Sequence, residues 1–191
     1  MQLPIQRTGQ FEQTSKDIEV HLAQEAAGLV RVLFGDESGF TENPPLTQAW
    51  APKGEPHAHE MKTGTRARLN GIGCCDFNLK PVSMWFKEGR VGGADFRAWG
   101  NALAAKCNPS VPTHLWLDNG PIHTAKATLA LFPEWAAKGL HIHFLSPYSP
   151  ELNRIEILWR KIKRLRPFIL LEIKELRITL RKILTSLSRK S

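Results

Sequence analysis

A chain of 191 residues with 42% hydrophobic and 23% charged residues fits one globular domain and excludes a disordered chain. It contains no apolar run long enough to cross a bilayer and no signal-peptide core, so we expect a cytoplasmic protein without a membrane partner. The net charge of +8 is confined to one part of the chain, because residues 154–191 hold twelve Lys or Arg against three Glu, whereas residues 1–153 hold fourteen against fifteen Asp or Glu.

The uneven charge bears on the class of partner. A basic segment attached to a near-neutral body is typical of proteins that bind nucleic acid, because contacts with phosphate dominate such affinities. The alternative is a basic helix face that is merely solvated.

The first half of the chain predicts a helix, a strand and a long loop. Residues 15–27 begin with Ser15 as a candidate cap and continue in helix-forming residues, so they predict a helix. The apolar residues 28–34 predict a buried strand that stops beside Asp36. Residues 40–66 are rich in Pro and Gly and predict an irregular loop.

Histidine and cysteine spacing gives little support for a metal site with soft ligands. His57 and His59 form a His-x-His pair in the loop, but no third ligand stands at a recognisable spacing. Cys74, Cys75 and Cys107 form neither a disulfide framework nor a zinc spacing, and they suit a reducing compartment. We expect the cysteines to pack in a strand.

The remaining elements predict a mixed sheet. Residues 66–87 contain two apolar stretches around a break and predict adjacent antiparallel strands, and Phe96, Trp99 and Leu103 recur at helical spacing within 93–107. Strands and helices then alternate, with strands over 113–118 and 140–145 and helices over 123–139, where Pro133 interrupts or shifts the helix, and over 153–165. Alternation implies parallel strands with crossovers, so we predict an α/β fold with a mixed sheet flanked by helices.

Three carboxylates are candidates for one site. Two predicted strands end in Asp36 and Asp118, and reactive groups of open α/β sheets collect at strand ends. Glu156 lies in the first turn of the helix over 153–165. Three carboxylates in this arrangement can hold two divalent cations about 4 Å apart, and Mg²⁺ prefers such oxygen ligands.

Two alternatives for the third carboxylate remain open. Glu156 stands three residues after Asn153, which is a capping-box pattern, so it can instead close the start of its helix. Glu151 is the rival acidic residue, in the loop that precedes the helix.

Four motifs in order carry a resemblance to a known family: FGDESGF, WAPKG, LDNGPIH and SPYSPELNRIEILWRKIK. Over about residues 29–165 the chain resembles the catalytic domain of DDE transposases of the mariner-like superfamily, in the bacterial insertion-sequence branch. The resemblance implies a ribonuclease H-like fold, two Mg²⁺ or Mn²⁺ ions, and DNA strand cleavage and transfer at insertion-sequence ends. It also implies Asp36, Asp118 and Glu156 as the catalytic and metal-binding triad.

The resemblance implies partners as well. They are double-stranded DNA, as transposon ends and as target, and a second copy of the chain in a homodimer on that DNA, which in a bacterium places the protein at the nucleoid. Four basic residues that follow Glu156 are predicted phosphate contacts: Lys161, Lys163, Arg164 and Arg166. Arg154 replaces a proline that is common in the family and puts a basic side chain at the helix start.

We expect three segments. Residues 1–27 form an N-terminal helical remnant without the complete helix-turn-helix module that family members carry before the first catalytic strand. Residues 28–166 form the ribonuclease H-like catalytic domain, and residues 167–191 form a basic, helical tail. The alternative function is that of a truncated transposase remnant that binds DNA non-specifically without cutting it.

Four residues near the triad have open roles. Glu37 faces away from Asp36 if the strand alternation continues, which makes it a supporting or a surface residue. His123 can cap a helix, orient an aspartate or touch DNA, and Asn119 can bond across the site or only make the turn. Trp159 is expected to pack beneath the site.

Overall fold

The computed structural model describes residues 4–42, 68–165 and 171–189. Its elements in chain order are α1 (Pro4–Ala26), β1 (Arg31–Thr41), β2 (Arg68–Cys75), β3 (Pro81–Glu88), α2 (Gly93–Ala104), β4 (Thr113–Leu117), α3 (Pro121–Thr124), α4 (Lys126–Leu129), α5 (Phe132–Ala137), β5 (Leu140–Phe144), a 3₁₀ turn (Pro150–Leu152), α6 (Arg154–Leu165) and α7 (Ile173–Arg189). The WAPKG motif, His57, His59 and Arg166 lie outside the described residues. Within those residues, no helix combines the length and apolar content that a bilayer crossing requires.

The five strands form one sheet in the order β3-β2-β1-β4-β5. The pairs β1–β2 and β2–β3 are antiparallel, and the pairs β1–β4 and β4–β5 are parallel. The hairpin predicted within residues 66–87 and the parallel strands predicted later in the chain are both present. The predicted α/β fold with a mixed sheet flanked by helices is therefore confirmed.

Side chains that alternate along the central strands feed two hydrophobic cores. Phe34 and Trp116 point to the side covered by α1, α6 and α7, where Trp159 is buried. Leu33 and Leu115 point to the other side, which α2 and α5 cover. Because successive side chains of a strand face opposite sides of the sheet, the polar residues that follow these apolar ones along the strands are also divided between the two faces.

The first strand is longer than predicted. Its parallel pairing with β4 ends at Phe34, but its antiparallel pairing with β2 continues to Thr41 and places Asp36 opposite Gly73. Asp36 therefore lies inside β1 and not at its end, which corrects the prediction. One edge of β1 is unpaired by β4 from Gly35 onward, so Asp36 still lies where the parallel part of the sheet stops.

The helices also differ in their bounds from the predictions. Helix α1 begins at Pro4, so Ser15 lies inside it and does not cap it. The helix ends in a Schellman motif, in which Gly28 has φ of 73° and Leu29 N–H donates to the carbonyl of Gln24. The helix predicted over 123–139, with an interruption or shift at Pro133, is instead three short helices, α3, α4 and α5.

The break between α3 and α4 has a local cause. Ala125 has ψ of 139°, an extended conformation that stops the helical hydrogen-bond pattern. Pro133 lies in the first turn of α5, where a proline is tolerated because its missing N–H has no helical partner there. The proline therefore marks a helix start and does not interrupt a longer helix.

Helix α7 belongs to the body of the molecule. Leu176 and Leu180 are fully buried in the core that also contains Phe40 and Trp159. Arg177 donates through its guanidinium to the carbonyl of Phe86 in β3. The helix predicted for the C-terminal segment is present over residues 173–189, and it covers β2 and β3.

Candidate active site

Three carboxylates line one cavity of about 450 Å³. Asp36 comes from β1, Asp118 directly follows β4, and Glu156 lies in the first turn of α6. The other lining residues come from the turn after β4 and from the loop between β5 and α6: Asn119, Gly120, Leu145, Ser146, Pro147, Tyr148, Ser149, Pro150 and Asn153. Glu151, the rival carboxylate, is exposed in the 3₁₀ turn and lies outside this set.

The cavity concentrates negative charge. Burial raises the pKa of Asp36 to about 7, and the charges of Glu37, Asp118 and Glu156 add to the rise, against a backbone hydrogen bond at Glu37 that lowers it. Partial desolvation and like charges both disfavour the ionised carboxylate. A cation among these groups would remove that penalty, so the electrostatics of the cavity favour cation binding.

His123 bridges two carboxylates below the cavity. Its side chain is 1% exposed, its Nδ1 lies 2.7 Å from Oδ1 of Asp118, and its Nε2 lies 2.8 Å from Oε1 of Glu37. Burial alone would lower the pKa of His123, but the hydrogen bonds and charges of the two carboxylates outweigh burial and raise it to about 10. The ring is therefore an imidazolium at neutral pH, with both nitrogens donating.

This geometry selects one of the three roles left open for His123. A side chain so deeply buried cannot touch DNA, and both ring nitrogens are engaged by carboxylates, so His123 orients Asp118. Glu37, on the sheet face opposite Asp36, is the second anchor of the ring. The sequence placed Glu37 on the correct face but gave no sign that it pairs with His123, because the two residues are 86 positions apart.

The Asp118 carboxylate is held at one oxygen. Oδ1 accepts hydrogen bonds from His123 and from the backbone N–H of Gly120, and the bond from His123 is the main reason that the pKa of Asp118 is lowered. Both donors use Oδ1, so Oδ2 can serve as a ligand. The neighbouring Asn119 bonds across the site, since its Nδ2 donates to the carbonyl of Leu145 at 2.7 Å and joins the ends of β4 and β5.

Asn153 ties the start of α6 to β1. Its side chain is buried, and Nδ2 donates to the carbonyl of Gly35 at 3.2 Å, across 118 positions in sequence. Its Oδ1 is also buried and has no hydrogen-bond partner among the described residues. The Asn153 side chain therefore bonds to β1 and does not cap α6. Glu156, the other residue of the predicted capping box, lies at the cavity instead.

Two residues of this region behave in ways that the sequence did not indicate. Tyr148 is 82% exposed and has φ of 58°, a conformation that is costly for an aromatic residue and recurs at functional sites. An exposed aromatic ring beside a cavity can pack against a base or a sugar. Arg154 donates to the carbonyl of Phe77 and its guanidinium lies 4.4 Å from the Phe77 ring centroid, so it braces the β2–β3 turn.

The basic residues of α6 fall into two groups around the helix axis. At about 100° per residue, Arg160, Lys163 and Arg164 lie within roughly 80° of Glu156, whereas Lys161 lies about 140° away. All four are exposed. Ideal helix geometry therefore groups Lys163 and Arg164 with Glu156, adds Arg160, which sequence reasoning had passed over despite its i, i+4 spacing, and separates Lys161.

Trp159 packs beneath this surface. It is 2% exposed and meets the Phe40 ring edge to face at 5.9 Å between centroids. The expectation that it packs under the site, and does not bind a base, is confirmed.

Comparison with known proteins gives consistent matches. The family model described as "DDE superfamily endonuclease" matches residues 31–167. None of the curated protein sequences compared with the chain matches it significantly. Among solved structures, the chain is similar to the Mos1 Strand Transfer Complex, with a TM-score of 0.69 and 15% identity over 97% of this chain and 56% of that one.

Two further structures have the same fold. The Mos1 mariner paired end complex with Mn gives a TM-score of 0.69 and 17% identity, and covers 97% of this chain and 57% of that one. The Mos1 transposase paired-end complex with left transposon end gives 0.68 and 16%, and covers 100% and 57%. The chain thus spans slightly more than half of the chains it matches, and its fold is ribonuclease H-like.

Proposed function

Since the chain belongs to the DDE superfamily endonuclease family, we propose that it catalyses metal-dependent DNA strand cleavage and strand transfer at the ends of a transposable element. The observation that carries the proposal is the convergence of Asp36, Asp118 and Glu156 on one cavity from three separate elements. We propose these three residues as the catalytic triad. Placement in the bacterial insertion-sequence branch remains a prediction from the motifs.

The donor set of the cavity fits divalent cations. Three carboxylates are hard oxygen ligands of the kind that Mg²⁺ and Mn²⁺ prefer, and their mutual repulsion is relieved by a cation. Asn153 also lines the cavity, and its buried Oδ1 has no hydrogen-bond partner among the described residues, so this region holds one further oxygen. We propose two Mg²⁺ or Mn²⁺ ions held by Asp36, Asp118 and Glu156. When bound, the ions would activate the attacking oxygen and stabilise the charge that develops on the phosphate.

The remaining residues of the site position these ligands. His123 holds Oδ1 of Asp118 and thereby fixes the direction of Oδ2, and Glu37 holds the far side of the imidazolium. The bond from Asn153 to the carbonyl of Gly35 sets the distance between the β1 and α6 carboxylates. The protein thus supplies ligand geometry and a fixed local charge, and no covalent intermediate with the protein is needed.

Double-stranded DNA is the substrate that we propose, as transposon ends and as target. The net positive charge of residues 154–191 supports a phosphate-binding surface beside the cavity. The similar Mos1 structures are a strand transfer complex and paired-end complexes, one of them with the left transposon end. Two ends held together in a paired-end complex suit one active site for each end, so we propose a homodimer on DNA. Lys163 and Arg164, with Arg160, are the phosphate contacts best placed for this role.

The test pairs Glu156→Gln with Glu151→Gln. The two residues are five positions apart and carry the same charge, but only Glu156 lines the cavity. Binding of Mn²⁺ is measured by electron paramagnetic resonance, and nicking is measured on DNA that carries the inverted repeats flanking the gene. We expect Glu156→Gln to lose both, as Asp118→Asn should, and Glu151→Gln to keep both.

Two outcomes contradict the proposal. Equal nicking by wild type and Asp118→Asn, with contaminating nuclease excluded, would remove the triad from the reaction. Duplex binding without nicking in the wild type, under conditions where Mn²⁺ binds, would favour the non-catalytic remnant that binds DNA through its basic surface.

A further inference from the structure

Three histidines from separate elements meet on the sheet face that α1 covers. His21 lies in α1, His114 near the start of β4 and His143 in β5, and one ring nitrogen from each lies within 4.8 Å of those of the other two. The rings of His21 and His114 stack with centroids 4.0 Å apart, and His143 lies 4.9 Å from His21. The functional site described above uses none of these side chains.

The hydrogen bonding within the cluster is incomplete. Nδ1 of His114 and Nε2 of His143 lie 2.8 Å apart and share one proton between two nitrogens. Nδ1 of His21 is buried and has no hydrogen-bond partner among the described residues. An unsatisfied buried nitrogen is costly, and a cation bound by all three rings would satisfy it.

The surroundings of the cluster disfavour protonation of the three rings. Burial is the largest cause that lowers the pKa of His21, and it lowers the pKa of His114 and His143 to about 4, with the neighbouring histidines, including His141, adding to the effect. Neutral imidazole is the form that binds a metal. Asp17, one helical turn before His21, is the nearby carboxylate that acts in the opposite direction.

We propose that His21, His114 and His143 form a binding site for a borderline transition-metal ion, of which Zn²⁺ is the ion that three imidazoles suit best. Metal–nitrogen distances of about 2.1 Å place tetrahedral ligands about 3.4 Å apart. The three nitrogens lie within 4.8 Å of one another, so the side chains would rotate to bring them together on the ion. Three protein ligands leave a fourth position for water or a carboxylate. The ion would fasten α1 to β4 and β5.

This site is separate from the carboxylate cavity. His114 precedes Asp118 by four residues along β4, which corresponds to about 13 Å of strand. The ligand types differ as well, because imidazole suits Zn²⁺, Ni²⁺ and Cu²⁺, whereas the carboxylates suit Mg²⁺. Binding of Zn²⁺ by the three histidines therefore does not depend on the proposed nuclease activity.

The experiment is a Zn²⁺ titration of the full chain, freed of metal and kept reduced, in millimolar Mg²⁺ that occupies the carboxylates. Calorimetry gives affinity and stoichiometry, and Co²⁺ substituted for Zn²⁺ gives the visible absorption of a four-coordinate nitrogen site. We expect one tight site that raises the melting temperature. His21→Gln and His143→Gln should each weaken it at least a hundredfold, since even the loss of an outer hydrogen-bond partner weakens metal sites ten- to a hundredfold.

Two controls locate the site. His141 lies on the same strand and face as His143 and its ring is 5.3 Å from that of His114, yet it lies outside the trio, so His141→Gln should bind Zn²⁺ normally. A variant with His57 and His59 both changed to Gln should also bind normally. Circular dichroism of the metal-free proteins separates lost binding from lost folding, and His21, half-buried on a helix, is the position at which folding should survive.

Three results would overturn the proposal. They are the absence of a stoichiometric Zn²⁺ site in the wild type, unchanged affinity in a folded His21→Gln protein, and a loss in either control as large as that in His21→Gln.

Discussion

The two hydrogen bonds of the His123 ring can be removed one at a time by two substitutions. The amide nitrogen of Asn falls near Nδ1 of the ring, so His123→Asn can keep the bond to Asp118 and must lose the bond to Glu37. The amide nitrogen of Gln falls near Nε2, so His123→Gln keeps the bond to Glu37 and loses the bond to Asp118. If His123 acts by orienting Asp118, only the second substitution should harm catalysis.

The magnitudes follow from the exposure of the two partners. A charge-assisted hydrogen bond contributes about 1.5–3 kcal/mol, and less where water can replace it. The side chain of Asp118 is 55% exposed and that of Glu37 only 26%. We therefore expect His123→Asn to lower the free energy of unfolding by about 2–3 kcal/mol and His123→Gln by about 1–2 kcal/mol. Nicking should show the reverse order, with a ten- to hundredfold loss in His123→Gln and a much smaller loss in His123→Asn.

Urea unfolding gives the free energies, and single-turnover nicking with Mn²⁺ gives the rates. Asn101→Ala is the control for instability alone, because it removes the 2.7 Å bond from the Trp135 indole and Asn101 does not line the cavity. An orienting role of His123 is refuted if the more destabilised of the two His123 variants is also the less active one, or if His123→Gln cuts DNA at the wild-type rate.

Three further predictions test the surface, the thiols and the packing. Replacing Arg160, Lys163 and Arg164 by Ala should lower the magnitude of the slope of log affinity for duplex DNA against log salt concentration by about 0.9 for each phosphate that is no longer neutralised. Lys161→Ala should leave this slope unchanged. Equal slopes for the two variant proteins would contradict the grouping of the basic residues. Burial raises the pKa of Cys74 to about 12 and also raises that of Cys75, so mass spectrometry should find a thiol reagent on Cys107 alone until the protein unfolds. A Cβ at Gly100 would lie 2.5 Å from the buried Trp135 ring. Urea unfolding should show that Gly100→Ala lowers the free energy of unfolding by about 1–2 kcal/mol, because over-packing outweighs the gain in helix propensity. A more stable variant would show that the ring can move.

The sequence predicted those features that depend on local pattern. The β-branched run before Asp36, the alternation of strands and helices, and the ordered motifs were sufficient for the sheet and for three candidate carboxylates. The predicted end of β1 was wrong because the length of a strand is set by its pairing. The strand that pairs with β1 beyond Phe34 is β2, which begins only at Arg68, after the long loop.

Long-range hydrogen bonds account for most of what could not be predicted. The pair of Asn153 and Glu156 reads as a capping box, yet the Asn153 amide donates to Gly35, which is adjacent only in the folded chain. The anchoring of His123 by Glu37 is hidden for the same reason. The sequence spacing of His21, His114 and His143 does not indicate that they meet, because they come from a helix and two strands.

The burial of α7 bears on the proposed binding of DNA, because it fixes where the positive charges of the helix lie. A flexible basic tether searches a volume, and its benefit is a local concentration set by linker length. A helix of 17 residues fixed on the sheet by Leu176 and Leu180 instead presents its charges at set intervals along about 26 Å. How many phosphates it meets then depends on the path of the duplex, so a bent DNA and a straight one of equal length would be bound with different affinity.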